Sequence, residues 1–129
     1  MKTRLTLKQT GFFQVQAQDR ANQCGPLGND TNKYTLHIRC RGDDLCPRGF
    51  IIDNTRLNAF FTERFSGLDV YPSCENLAWQ ACTGIVRLLQ REGRQPLFVS
   101  VEITSAPDRE PRSSGVVAEW REEDNEEAA

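Results

Sequence analysis

Leu97-Phe98-Val99-Ser100-Val101-Glu102-Ile103-Thr104 is the stretch whose reading decides the fold. Its aliphatic residues Leu97, Val99, Val101 and Ile103 alternate with Phe98, Ser100, Glu102 and Thr104. One face of a strand is therefore apolar, and Glu102 is displayed on the other. Upstream, Leu77, Ala78, Ala81, Cys82, Ile85, Leu88 and Leu89 form a helical apolar stripe that stops at Glu92-Gly93, about five turns long. Pro72 and Ser73 open this helix, with Ser73 as the expected N-cap and Glu75 in the first turn, where a carboxylate favours the helix dipole. A strand with one apolar face and a helix with one apolar stripe bury each other, which makes a two-layer domain.

Further upstream, Asp53 or Asn54 is positioned to cap a helix carrying Leu57, Phe60, Phe61 and Phe65 at helical spacing, ended by Gly67. A turn through residues 41–44 and 47–49 leads into it from a strand in which Tyr34, Leu36, Ile38 and Cys40 face one way and Thr35, His37 and Arg39 the other. Residues 19–33 are rich in Asn, Gly, Pro, Asp and Thr, the composition of a polar loop able to carry a site. Before that loop, apolar and polar residues alternate from Thr3 to Leu7, Gly11 interrupts, and Phe13, Val15 and Ala17 resume the period. This predicts one long strand with a bulge or two short strands. After Thr104 and a polar turn, Gly115 to Trp120 makes a last short strand.

The expected order is β-β-α-α-β-β: an α+β domain with a four-stranded antiparallel sheet and both helices on one face. The other face is left bare. Joining edge to edge with identical copies would cover that face and remove the sheet edges by closing a β-barrel, so a homo-oligomer is expected.

At 129 residues with 38% apolar side chains, the chain has material for one core. One domain is expected over residues 1–121, followed by an acidic, frayed tail over 122–129. A net charge of -2 gives no global field for nucleic acid or an anionic membrane, and neither is expected as a partner. The opening residues alternate polar and apolar in place of a signal sequence, which points to the cytoplasm. Five cysteines without a CxxC pair are read as reduced thiols. The single histidine, His37, excludes a histidine-rich metal site.

The order of elements, together with Pro72-Ser73-Cys74-Glu75-Asn76-Leu77-Ala78 and Val99-Ser100-Val101-Glu102-Ile103-Thr104, resembles the 6-pyruvoyl-tetrahydropterin synthase and 6-carboxytetrahydropterin synthase family. Gly49-Phe50-Ile51-Ile52-Asp53 also looks like that family's strand end before its first helix. The resemblance implies the tunnelling fold (T-fold), a ring that is a trimer or two stacked rings, and a pterin- or purine-like ligand at a subunit interface. It implies Glu102 as the residue anchoring the ring, with Thr104, Ser105, Ser73 and Glu75 as further ligand-binding positions. An ionised carboxylate accepts two hydrogen bonds from adjacent N–H groups on such a ring edge, which suits Glu102 to that task.

The family's zinc site does not carry over. Its histidine positions correspond here to Asp19, Asp30 and Asn32, so no cofactor is expected, zinc included, and the carbon–oxygen lyase chemistry of the synthases is expected to be absent. Cys24 matches the family's catalytic cysteine in spacing, and Leu68-Asp69-Val70 resembles a Leu-Asp-His element with Val70 in place of the relay histidine. Cys24 and Asp69 are thus the only catalytic candidates. Two alternatives stay open beside a heterocycle-binding protein without synthase activity. One is a structural or interaction oligomer with no small ligand; the other is a divergent enzyme holding a hard metal ion at Asp19, Asp30 and Asn32.

Overall fold

A computed structural model describes residues 2–23, 28–105 and 115–126. In chain order the elements are β1 (Arg4–Gln14), β2 (Ala17–Asp19), β3 (Thr31–Arg41), α1 (Asn54–Arg64), β4 (Leu68–Val70), α2 (Cys74–Arg91), β5 (Phe98–Ser105), β6 (Gly115–Arg121) and α3 (Glu122–Glu126). Strands β1, β3, β5 and β6 form one antiparallel sheet in that order. The mixed α+β class and the four-stranded antiparallel sheet are therefore as expected.

Strand β1 is continuous. Its pairing with β3 runs without a slip from Arg4 opposite Arg41 to Gln14 opposite Thr31, so Gly11 does not mark a bulge. Its role is steric, because a β-carbon there would lie 2.6 Å from the Tyr34 hydroxyl, whose ring crosses the strand at that point. Gln9 Nε2 donates to the same hydroxyl at 3.1 Å and holds the ring down. Phe13, Tyr34, Phe61 and Phe65 then stack into an aromatic cluster, with Tyr34 and Phe61 centroids 4.5 Å apart.

Both helix starts follow their capping residues. Asp53 accepts from the Thr55 amide at 2.8 Å, and Ser73 Oγ accepts from the Asn76 amide at 3.2 Å. Helix α2 lies across β5 and β6 and buries Leu77, Ala78, Ala81, Cys82, Ile85 and Leu89 against Val99, Val101 and Ile103, while α1 covers β1. The two helices meet where Gly84 leaves room for Phe60; a β-carbon at Gly84 would stand 2.5 Å from that ring.

Several expectations need correction. Gln16 to Asp19 do not continue β1: they turn to form β2, which pairs in parallel with β4 between the helices. Phe50 is irregular and Ile51 and Ile52 form bends before the helix, not a strand end. The acidic segment after Arg121 begins with a turn of helix, α3. Cys40, Cys46 and Cys82 are free, but Cys74 is disulfide-bonded, so the cysteines are not all reduced thiols. Among the described residues no helix is long and apolar enough to cross a membrane.

A buried ion pair, invisible to sequence periodicity, ties the turn after β3 to the turn after α2. Arg94 is 7% exposed and donates through Nε to Asp44 Oδ1 at 2.9 Å and through Nη2 to the Asp44 carbonyl. The Gln95 amide donates to Asp44 Oδ2 at 3.0 Å.

Candidate functional site

Because side chains alternate across a strand, the pairing registers fix what the uncovered face of the sheet presents. Thr10, Thr35, Glu102 and Val117 form one cross-strand row, and Lys8, His37, Ser100 and Glu119 the next. Glu102 therefore points away from both helices, as its alternation with Val101 and Ile103 requires. It is half-buried and has no ion pair or hydrogen bond among the described residues. Gly115 makes that burial feasible: a β-carbon there would stand 2.8 Å from Thr104 and 3.3 Å from the Glu102 carboxyl carbon. A carboxylate held against its own sheet, without a partner, keeps its acceptor oxygens available for an incoming donor.

Thr104 shares this face and lies opposite Gly115, whereas Ser105 sits at the end of β5 opposite Asn32. Ser73 and Glu75 lie elsewhere, at the start of α2 on the covered side. The Ser73 hydroxyl is engaged as a cap, and Glu75 is exposed in the first turn. Ser73 and Asp69 instead line a small cleft of about 260 Å³ together with Tyr71 and Asn76. One chain therefore does not bring the expected ligand-binding residues to one place. Glu102 and Thr104 form one group, and Ser73 and Asp69 another. Cys24 lies outside the described residues.

Asp19, Asp30 and Asn32 do come to one corner of the molecule, but each is engaged by the polypeptide. Asp19 Oδ1 accepts from the Ala21 amide at 2.9 Å, and its carbonyl accepts from the Tyr71 amide at 2.7 Å. Asp30 forms an ion pair with Arg20, a contact that holds the guanidinium still more firmly protonated. Asn32, 1% exposed, donates to the Tyr71 hydroxyl at 2.7 Å. Burial pushes the Tyr71 hydroxyl above its ordinary pKa, and the Asn32 bond offsets part of that shift. A guanidinium thus supplies the positive charge that a divalent ion would bring to Asp30. Zinc fits this corner badly, since it offers two carboxylates and an amide and no imidazole. Among the described residues no group of three His, Cys, Asp or Glu side chains is arranged to hold a metal.

The two buried free thiols have no activating base. Burial pushes Cys82 up to about 11, and its Sγ donates to the Val99 carbonyl at 3.6 Å. Burial also raises Cys40, with Arg94 pulling the other way. Neither is a nucleophile at neutral pH.

Sequence reasoning missed one grouping altogether. At the end of the bare face where β1 begins and β3 ends, Arg4, Arg39, Arg41 and Arg121 surround Phe98. The signal was present in the outward parity of these residues. It became readable only once the three registers were known.

Comparison with known proteins gives no assignment: no protein-family model matches the chain, and no curated protein does.

Proposed function

We propose that this protein is a T-fold homo-oligomer that binds a flat pterin- or purine-like heterocycle at a seam between copies, with Glu102 as the anchoring carboxylate and without the synthase reaction. The observation that carries the reading is Glu102 itself, half-buried and unpartnered among the described residues on the face that no helix covers. An unpaired carboxylate held in this way has open acceptor sites that a ligand with adjacent N–H donors would fill.

Oligomerisation is supported by the two outer strands, β1 and β6, each of which pairs on one side only among the described residues. Open ladders of this length invite pairing with another chain. The division of Glu102 and Thr104 from Ser73 and Glu75 agrees with a site completed by two copies. Localisation in the cytoplasm belongs to the same proposal. It requires that the Cys74 disulfide be reduced there or serve a redox role, because structural disulfides favour oxidising compartments.

A second reading, an oligomer with no small ligand, draws support from Phe12 and Val117. These residues are 66% and 49% exposed on the same face and would be covered by assembly alone. Light scattering with thermal shift separates the readings. Guanine, neopterin or biopterin should raise the melting temperature of an oligomer, and Glu102→Ala should abolish the shift while leaving the mass unchanged. An oligomer indifferent to all three leaves the second reading. A monomer removes both.

A further inference from the structure

The two open edges of the sheet carry opposite charge. From Lys2 to Gln14, a stretch that includes all of β1, there are three cations, Lys2, Arg4 and Lys8, and no carboxylate. From Gly115 to Glu126, the stretch of β6 and α3, there are five carboxylates and one cation, Arg121. That arginine is answered within its own chain. Glu119 stands 3.6 Å from it, and its guanidinium carbon lies 4.8 Å from the centroid of the Phe98 ring on the neighbouring strand. Glu122, Glu123 and Asp124 form no ion pair among the described residues, and neither do Lys2, Arg4 and Lys8. The chain as a whole is close to neutral at -2, so the two signs have been sorted by edge.

The β1 edge also carries a repulsion that the fold of one copy leaves in place. Arg4 is the direct cross-strand partner of Arg41. Side chains so placed have β-carbons about 5 Å apart, and like charges directly opposite destabilise a sheet. A carboxylate arriving from outside would relieve it.

Topology says where that carboxylate comes from. Thr6, Arg39, Phe98 and Arg121 form one cross-strand row, so β1 begins and β6 ends at the same end of the sheet, and the two run in opposite directions. Copies set side by side in one orientation therefore continue the ladder antiparallel, β6 of one against β1 of the next. Glu122 and Glu123, just past Arg121, then stand beside the next copy's Lys2 and Arg4, which precede Thr6. Helix α3 is fastened at this end of the sheet, because the Glu122 amide donates to the Leu97 carbonyl at 3.1 Å. Joining β1 to β1 or β6 to β6 would instead bring charges of one sign together, which opposes it.

We propose that α3 of one copy is an acidic clasp seated against Lys2 and Arg4 of the next, so that charge selects head-to-tail joining over the pairing of like edges and makes assembly depend on ionic strength. The clasp rests on the edge-to-edge homo-oligomer proposed above, and it does not involve Glu102 or any small ligand. Pairing of like edges is two-fold and stops at a dimer, whereas head-to-tail joining continues until the rotation closes a ring.

The test is sedimentation of the full chain and its variants between about 0.01 M and about 1 M salt, over which the screening length falls from about 30 Å to about 3 Å. One variant carries Lys2→Glu with Arg4→Glu, a second Glu122→Lys with Glu123→Lys, and a third all of these substitutions together. Circular dichroism confirms that each is folded. At low salt, reversing either edge alone should weaken assembly about tenfold or more, since each attraction becomes a repulsion. The fully reversed variant, whose edges are complementary again with the signs exchanged, should recover it. Added salt should weaken assembly of the unsubstituted protein and of the fully reversed variant, and strengthen that of the two single-edge variants. An unsubstituted protein that stays monomeric at low salt removes the homo-oligomer and the clasp together. An oligomer equally tight in both single-edge variants, or a fully reversed variant no better than either, overturns the clasp alone. So does assembly of the unsubstituted protein that is as tight at high salt as at low, whatever the variants do.

Discussion

Replacing Asp44 by alanine should be the most damaging single change outside the apolar core. The substitution deletes two acceptors at once: Oδ1, which takes Arg94 Nε at 2.9 Å, and Oδ2, which takes the Gln95 amide at 3.0 Å. It also leaves the Arg94 guanidinium, 7% exposed, with only the Asp44 carbonyl of its present partners. A hydrogen bond to a charged group contributes roughly 1.5–3 kcal/mol, and breaking a buried pair from one side costs roughly 3–5 kcal/mol. Asp44 is 19% exposed, so water can reach part of the site and the lower end applies, about 3 kcal/mol. With an unfolding entropy of about 2.1 cal/mol/K per residue, a chain of 129 residues loses about 11 °C in melting temperature for that amount.

Urea unfolding followed by circular dichroism would measure it, with an unchanged m-value showing that stability and not compactness has moved. The companion variant Asp44→Ala with Arg94→Met removes both charges together and should recover most of the loss, because the penalty comes from stranding one charge and not from lacking the pair. A loss under about 1 kcal/mol in the single variant, or a double variant no better than the single, would show that the pair is solvated and the reasoning wrong.

Two further predictions follow from the packing. Cys82 is held protonated up to about 11, above the ordinary value of 9.0. The unfolded thiol therefore ionises first, and stability falls as pH rises from 9 toward 11, by at most about 2.7 kcal/mol. The difference between the pH–stability curves of the protein and Cys82→Ala should be flat below pH 9 and change above it, and a difference that stays flat to pH 11 would contradict the burial argument. Gly84→Ala should destabilise by about 1 kcal/mol despite a better helix former, since overpacking against Phe60 outweighs the propensity gain. Phe60→Leu in the same chain should restore the propensity benefit, and chemical denaturation of the three variants would show it.

What the sequence disclosed and what it concealed divide along physical lines. Alternation in Tyr34 to Cys40 and in Leu97 to Thr104, and the capping residues Asp53 and Ser73, are local signals, and the elements they announce are present. The outward display of Glu102 was legible for the same reason. Strands β2 and β4 were not, because three residues carry no period and their pairing joins segments about fifty residues apart. The partnership of Asp44 with Arg94 spans a separation of 50, and a charged residue in a turn ordinarily reads as solvated. The motif that nominated Ser73 and Glu75 beside Glu102 contained nothing about sides of a sheet. Only the packing of α2 showed that they lie across the layer from it. The arginine cluster needed three registers simultaneously.

The short parallel ladder between the helices has a mechanical consequence. The Gln16 amide donates to the Phe65 carbonyl at 2.8 Å, the Leu68 amide to Gln16 at 3.0 Å, and the Tyr71 amide to Asp19 at 2.7 Å. Each strand of this latch is the other's only strand partner among the described residues. Residues 16–19 therefore hold the backbone of the interhelical linker from one side, while Asn32 grips the Tyr71 hydroxyl from β3. The linker is thus fastened along its backbone and at the tyrosine ring, which fixes the point from which the longest described helix departs.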